Sequence, residues 1–201
     1  MQIELENDSK KSGISKKRVA NLRGNSLIIS PQLFDYIKEF NLPVSPVTEQ
    51  EKASAALKFR LKVANSLDLY LAEVLKSEVL KPLKTPGHYI LAGEGGDRVI
   101  PESLLYSTGL SIPEEFRAAS KLAYKLNAIL RSFFERRGCD LISVSAGFVS
   151  MEDKIVINGG FRYSDIMVSH PGQSRRIKDY LIYGKPEDAG NYIKFLNKIL
   201  D

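Results

Sequence analysis

The stretch LNAILRSFFERRGCDLISVSAGF, residues 126–148, decides how the chain is read. Its first half continues a helical pattern in which Phe116, Ala119, Leu122, Ala123, Leu126, Ile129, Leu130 and Phe133 recur at three- and four-residue spacing. Gly138 stands where a helix ends. Period-two alternation follows, with Ile142, Val144, Ala146 and Phe148 on one face of a strand. The other face carries Ser143, Ser145, Gly147 and Val149. One face suits a core; the other carries no acid or base.

Upstream, SIPEEF (111–116) opens the long helix, with Ser111 and Glu114 spaced as a capping box and Pro113 in the first turn. Downstream, a turn at residues 151–154 and the strand KIVIN (154–158) complete a β-hairpin. Ser30-Pro31 starts a further helix, PQLFDYIKEF, with Leu33, Phe34 and Ile37 on one face, which stops before Asn41 and Pro43. β character around Leu57–Val63 precedes a helix through LDLYLAEVL (67–75). The glycine- and proline-rich KTPGHYILAGEGGDR (84–98) reads as loop and turn. A basic helical stretch, SRRIKDYLIYG (174–184), and a last helix from Pro186, with Tyr192, Ile193, Leu196, Ile199 and Leu200 inward, close the chain. Helices and hairpins are segregated more than alternating, which is α+β organisation.

The chain has 201 residues, 43% of them hydrophobic and 26% charged, which is globular composition. No apolar run reaches membrane-spanning length, and the polar MQIELENDSKK does not resemble a signal peptide. The expectation is a cytoplasmic protein without a membrane partner. One cysteine, Cys139, and two histidines, His88 and His170, argue against a disulfide framework and a cysteine- or histidine-based metal centre. Cys139, just past a helix end, is expected to be inert, and both histidines read as turn residues. The formal net charge is +5, concentrated in KKSGISKKRVANLR (10–23) and SRRIK (174–178). Such runs are either solvated surface or an anion site for phosphate or nucleic acid. Few aromatics interleave them, which disfavours a single-strand nucleic-acid platform.

The order of long helix, glycine and hairpin resembles the SAICAR synthetase family, whose members join aspartate to carboxyaminoimidazole ribotide at the expense of ATP. That family shows a leucine-rich helix ending in two phenylalanines, a glycine, and a strand of the type LVDFKLEFG. DRVIPESLLYSTGL (97–110) is similar without a gap to the family's DPLINEDHILALGL. RLKVANSL (60–67) resembles RNIAAGSL, RGNSLIISPQLFDYI (23–37) loosely resembles GKGxxNxxIS and its following helix, and KDYL (178–181) resembles RDYL. The resemblance runs over roughly residues 16–182. It implies a two-lobed, ATP-grasp-related α+β fold, with residues 1–56 as a remnant N-terminal lobe and 57–201 as the main lobe.

What the resemblance implies about chemistry is divided. In the family, the arginine and serine of RNIAAGSL hold the ribotide phosphate, which points to Arg60 and Ser66, with Lys178 at the late arginine position and Arg175 and Arg176 beside it. The alternative for Arg60 is an ion pair with an acid across a sheet. Asp97 and Glu102 match acids on the substrate side; the alternative is loop capping for Asp97 and a turn role for Glu102. Against these, the acid, lysine and second acid of LVDFKLEFG correspond to Ser143, Ser145 and Gly147. The carboxylates of the return strand, ADEISPD, which hold the metal in the family, correspond to Asn158, Gly159 and Tyr163. The glycine-rich YEGKAK hairpin over the ATP phosphates has no counterpart in the sequence.

Three readings stay open. The first is a protein related to purine biosynthesis that binds a phosphorylated ribotide or nucleotide with the ATP and Mg²⁺ half of the site degraded, catalytically weak or inactive. The second is an active ligase using ATP and Mg²⁺, the metal held by divergent residues such as Asp97, Glu102 or Asp165. The third is a basic module binding nucleic acid or a protein. No catalytic residue is assigned, and a homo-oligomer is left open.

Overall fold

The computed structural model describes residues 31–45, 56–92, 98–152, 154–159, 161–170 and 186–200. In chain order these form α1 (Pro31–Glu39), β1 (Val44–Ser45), β2 (Ala56–Ser66), α2 (Leu69–Val74), β3 (Pro82–Ala92), β4 (Arg98–Ile100), α3 (Glu102–Ser107), α4 (Pro113–Glu135), β5 (Asp140–Met151), β6 (Lys154–Asn158), a 3₁₀ turn (Tyr163–Asp165), β7 (Ile166–Ser169) and α5 (Pro186–Leu200). The strands make one seven-stranded sheet in the order β1-β6-β5-β2-β3-β4, with β7 also on β5. All pairs are antiparallel except β1 with β6. The architecture is α+β. Among the described residues no helix is long and apolar enough to cross a membrane.

The alternation in β5 is realised as written. Its register sets Val144 against Val63 and Ala146 against Leu61 on β2, so these side chains share a face with Phe59 and Phe148, whose rings lie 6.1 Å apart. α4 covers that face with Phe116, Ala119, Ala123, Leu126, Leu130, Phe133 and Phe134, all buried. Burial of so much apolar surface is the main force holding helix to sheet. Gly138, at φ +69°, takes the left-handed position that ends α4. The amide of Cys139 then returns to the Phe134 carbonyl at 3.0 Å and releases the chain into β5. Cys139 is buried, and burial, with the Asp140 charge beside it, raises its thiol pKa.

Three local expectations are corrected. Helix α4 is capped by Glu115, not by the Ser111–Glu114 pair. The Glu115 carboxylate accepts from the Ile112 amide at 3.2 Å and from the Ser111 hydroxyl at 3.0 Å, whereas Glu114 is exposed and faces Arg117. Most of KTPGHYILAGEGGDR is strand rather than loop. Residues 84–92 belong to β3, and the prolines fit because Pro86 sits where the β2–β3 register breaks, between the Ala64–Gly87 and Ser66–Pro82 pairs. His88 is therefore a strand residue opposite Val63, its Nδ1 2.9 Å from the Tyr124 hydroxyl. GEGG (93–96) and the expected helix over 174–184 lie outside the described residues.

α1 buries Leu33 and Ile37, as its pattern requires. α5 buries Tyr192, Leu196 and Leu200. The Tyr192 hydroxyl donates to the Ile166 carbonyl at 2.6 Å and accepts from the Val168 amide at 3.1 Å, fastening the helix to β7. Residue 56, where the lobes were divided, is the first of β2, and β1 before it joins the same sheet.

Candidate functional site

The face of the sheet turned away from α4 carries the polar side chains. Strand parity places Arg60, Lys62 and Ala64 of β2 there, opposite Gly147, Ser145 and Ser143 of β5. Tyr89 of β3 stands beside Lys62, and Asn158 of β6 lies next to Gly147. Asn65 turns the other way, exchanging side-chain amide hydrogen bonds of 2.8 and 3.0 Å with Asn127 of α4 and donating to the Leu141 carbonyl at 3.0 Å. A polar strip is thus laid across β3, β2, β5 and β6.

Two buried carboxylates organise the strip. Asp165, 3% exposed, closes the 3₁₀ turn. Its Oδ2 lies 2.8 Å from Arg60 Nη2, accepts the Arg162 amide at 2.7 Å and lies 3.4 Å from Arg162 Nε. Arg60 Nη2 also donates to the Ser145 carbonyl at 3.4 Å. The guanidinium lies over Gly147, where a Cβ would stand 3.5 Å from Arg60 Nη1. The second carboxylate, Asp68, precedes α2 and accepts the Leu71 amide at 3.0 Å. Its other oxygen takes both the Lys62 ammonium and the Tyr89 hydroxyl.

Burial alone would raise the Asp68 carboxyl, but the Lys62 ammonium, the Leu71 amide and the Tyr89 hydroxyl outweigh it and hold the pKa below its ordinary 3.8. A depressed carboxyl contributes stability that is full well above its unfolded-state value and is lost as pH falls through that value toward the folded one. The melting difference between the parent and Asp68→Asn is therefore expected to shrink as pH drops from neutral to about 3. A difference constant over that range would show that the charge of Asp68 does not stabilise the fold.

The residues expected at the site divide as follows. Arg60 forms the ion pair with Asp165 that was its alternative role. Ser66 ends β2, beyond the register irregularity that follows Ala64. Glu102 does not stand in a turn. It opens α3, and its carboxylate accepts from the Tyr106 hydroxyl at 2.6 Å, which pushes the Tyr106 pKa up to about 12. Asp97, Arg175, Arg176 and Lys178 lie outside the described residues. Ser143 is buried, and among the described residues its hydroxyl has no hydrogen-bond partner. Arg162, which with Tyr163 follows a glycine pair and reads from sequence as a residue that could line a nucleotide cleft, lies 3.4 Å from Asp165 through its Nε.

A magnesium ion asks for oxygen ligands, carboxylates among them, in near-octahedral array. The strip offers hydroxyls and an amide at Ser143, Ser145 and Asn158, and its two carboxylates already face cations. Gly159 approaches β1 so closely that a Cβ would meet the Ser45 carbonyl oxygen at 3.0 Å and Val44 Cγ1 at 3.2 Å, leaving no room for an acidic side chain without backbone movement. Tyr163 points its hydroxyl to Asn197 of α5 at 3.0 Å. Among the described residues no three His, Cys, Asp or Glu side chains converge. This donor set does not fit Mg²⁺.

No protein-family model matches the chain. An 83-residue stretch is 29% identical to the phosphoribosylaminoimidazole-succinocarboxamide synthase of Psychrobacter sp. (strain PRwf-1), covering 40% of this chain and 35% of that enzyme. The aligned segment thus spans about a third of the relative's length. Solved structures agree over much more of the chain. SAICAR synthetase from Pyrococcus horikoshii OT3 superposes with a TM-score of 0.69 at 17% identity, over 92% of this chain and 83% of that one. A SAICAR synthetase in complex with ADP gives 0.68 at 16% identity, over 96% and 81%. The Saccharomyces cerevisiae enzyme complexed with SAICAR gives 0.62 at 10% identity, over 93% and 81%.

Proposed function

Since the chain has the SAICAR synthetase fold, we propose that it binds a phosphorylated ribotide or nucleotide on the polar face of the sheet and does not turn it over. The observation that supports this reading is the donor set of that face. Arg60, Arg162 and Lys62 outnumber the two carboxylates they share, Asp165 and Asp68, while Gly147 and Asn158 occupy positions where the family resemblance places carboxylates. A planar guanidinium and an ammonium are suited to phosphate oxygens. Neutral hydroxyls and a side-chain amide hold a hard divalent cation less strongly than carboxylates do. That one solved relative binds ADP and another SAICAR supports the ligand class.

The test is thermal melting of the full chain against ATP, AMP and ribose 5-phosphate, each with Mg²⁺ and with EDTA. A ligand that prefers the native state raises the midpoint, by the equivalent of about 2.7 kcal/mol at a hundredfold excess over its dissociation constant. The expected result is a rise with at least one of the three that persists in EDTA. No shift with any of them would overturn the reading.

A further inference from the structure

We infer that Asp68 is an internal competitor on the polar strip: its carboxylate occupies the Lys62 ammonium that a phosphorylated ligand would otherwise meet, and so holds the affinity of the strip down. The inference deepens the phosphorylated-ligand reading above and rests on it. Lys62 lies within the strip, between Arg60 and Ala64 on β2 and opposite Ser145 of β5. One oxygen of Asp68 faces both the Lys62 ammonium and the Tyr89 hydroxyl, and the other accepts the Leu71 amide. The Lys62 side chain is 19% exposed and that of Asp68 only 8%. The cation is thus the member of the pair in reach of solvent, and the chain's own acid cancels its charge.

The two residues are anchored differently. Lys62 is fixed in mid-strand, with β3 on one side and β5 on the other. Asp68 heads α2, a six-residue helix on the connection between β2 and β3, whose Val74 and Leu75 are 59% and 58% exposed. Lys62 stands where RNIAAGSL has isoleucine, and Asp68 lies beyond the end of that motif. The pair is therefore separate from the grip that the resemblance assigns to Arg60 and Ser66. A carboxylate against an ammonium cancels much of the field that would draw a second anion, and like charges facing one another are strongly unfavourable. A phosphate that reaches Lys62 must break or weaken the Lys62–Asp68 pair. Asparagine at position 68 removes the charge and keeps an acceptor for the Leu71 amide, since Asn caps a helix about as well as Asp.

The probes are ribose 5-phosphate, AMP and ATP, each titrated calorimetrically into the full chain in EDTA at fixed ionic strength. Asp68→Asn is expected to bind at least one of them about tenfold more tightly than the parent, the scale of removing one like charge beside a bound anion. Asp68→Ser, which also keeps a capping oxygen, is expected to show the same gain, and melting of each variant verifies that it folds. Glu73→Gln, which removes an exposed acid from the same helix, is expected to leave the affinity unchanged. With Lys62→Met in both members of the comparison, most of the gain from Asp68→Asn is expected to vanish. Affinity at or below the parent's in both Asp68 variants, an equal gain in Glu73→Gln, or a full gain in the Lys62→Met background would overturn the inference alone. If none of the three phosphates binds the parent or either Asp68 variant, the inference and the proposed function both fall.

Discussion

The Asp165→Ala protein is expected to melt on the order of 10 °C below the parent. Asp165 is almost fully buried and answers three donors: the Arg60 guanidinium, the Arg162 amide and the Arg162 guanidinium. Removing it leaves the Arg60 charge half-buried against the sheet with its carboxylate gone, and takes the acceptor from the Arg162 amide. Breaking such a pair by deleting one partner costs about 3–5 kcal/mol, because the remaining charge has been taken out of water without compensation. Since Arg60 is 21% exposed and can recover some hydration, the lower part of that range is the better expectation. In a chain of this size each kcal/mol moves the midpoint by about 2–4 °C. Asp165→Asn retains one acceptor oxygen and nearly the same volume, so it should lose less than the alanine variant. The surface pair Arg131–Glu135 is the contrast: at 2.6 Å it is shorter, but both side chains are about half exposed. Its removal should cost about 0.5 kcal/mol or less. A midpoint change below about 2 °C in Asp165→Ala would show that the pair does not hold the turn to the sheet.

The parts of the fold legible in the sequence are those where one local rule meets no competitor. The helix over 113–135, the Gly138 stop and the alternation through Ile142, Val144, Ala146 and Phe148 all appear in the structure where the pattern put them. β3 was misread because proline and glycine count as turn formers locally. In the fold, the register break beside β2 absorbs Pro86, and pairing with β2 and β4 supplies the strand. The cap went to Glu115 rather than Glu114 because Ile112, not Ser111, precedes the first turn, which moves the capping position by one residue. Glu102 was placed in a turn although Pro101-Glu102 is a fair helix start, and α3 begins there.

Site residues were legible in type more than in partnership. Parity along RLKVANSL and DLISVSAGFV assigns faces, and the polar face is where that parity puts it. Which acid meets Arg60 depends on a turn more than a hundred residues away, and nothing in the local pattern encodes that contact. The Lys62–Asp68–Tyr89 cluster is hidden for the same reason, since Tyr89 reaches Lys62 only through the β2–β3 register.

The central claim, binding without turnover, meets its most direct test in an assay of ADP release. γ-Phosphoryl transfer needs a metal ion and cationic donors aligned on the phosphates as the bond breaks. On this face Ser143, Ser145, Gly147 and Asn158 present no carboxylate, and Asp68 and Asp165 are held against Lys62, Arg60 and Arg162. Losing one preorganised electrostatic contact commonly costs about two to three orders of magnitude in rate; several coupled losses need not add simply, but on the proposed reading the expectation is no useful turnover. Installing acids by Asn158→Asp and Gly159→Asp should not restore it, because Ser143, Ser145 and Gly147 would still present no carboxylate and a Cβ at position 159 would press on the Ser45 carbonyl at 3.0 Å. The measurement supplies the full chain with ATP, Mg²⁺, carboxyaminoimidazole ribotide and aspartate and follows ADP against a protein-free control. The predicted result is no release that depends on both ribotide and aspartate. Sustained release that requires both, and that stops when EDTA is added, would contradict it.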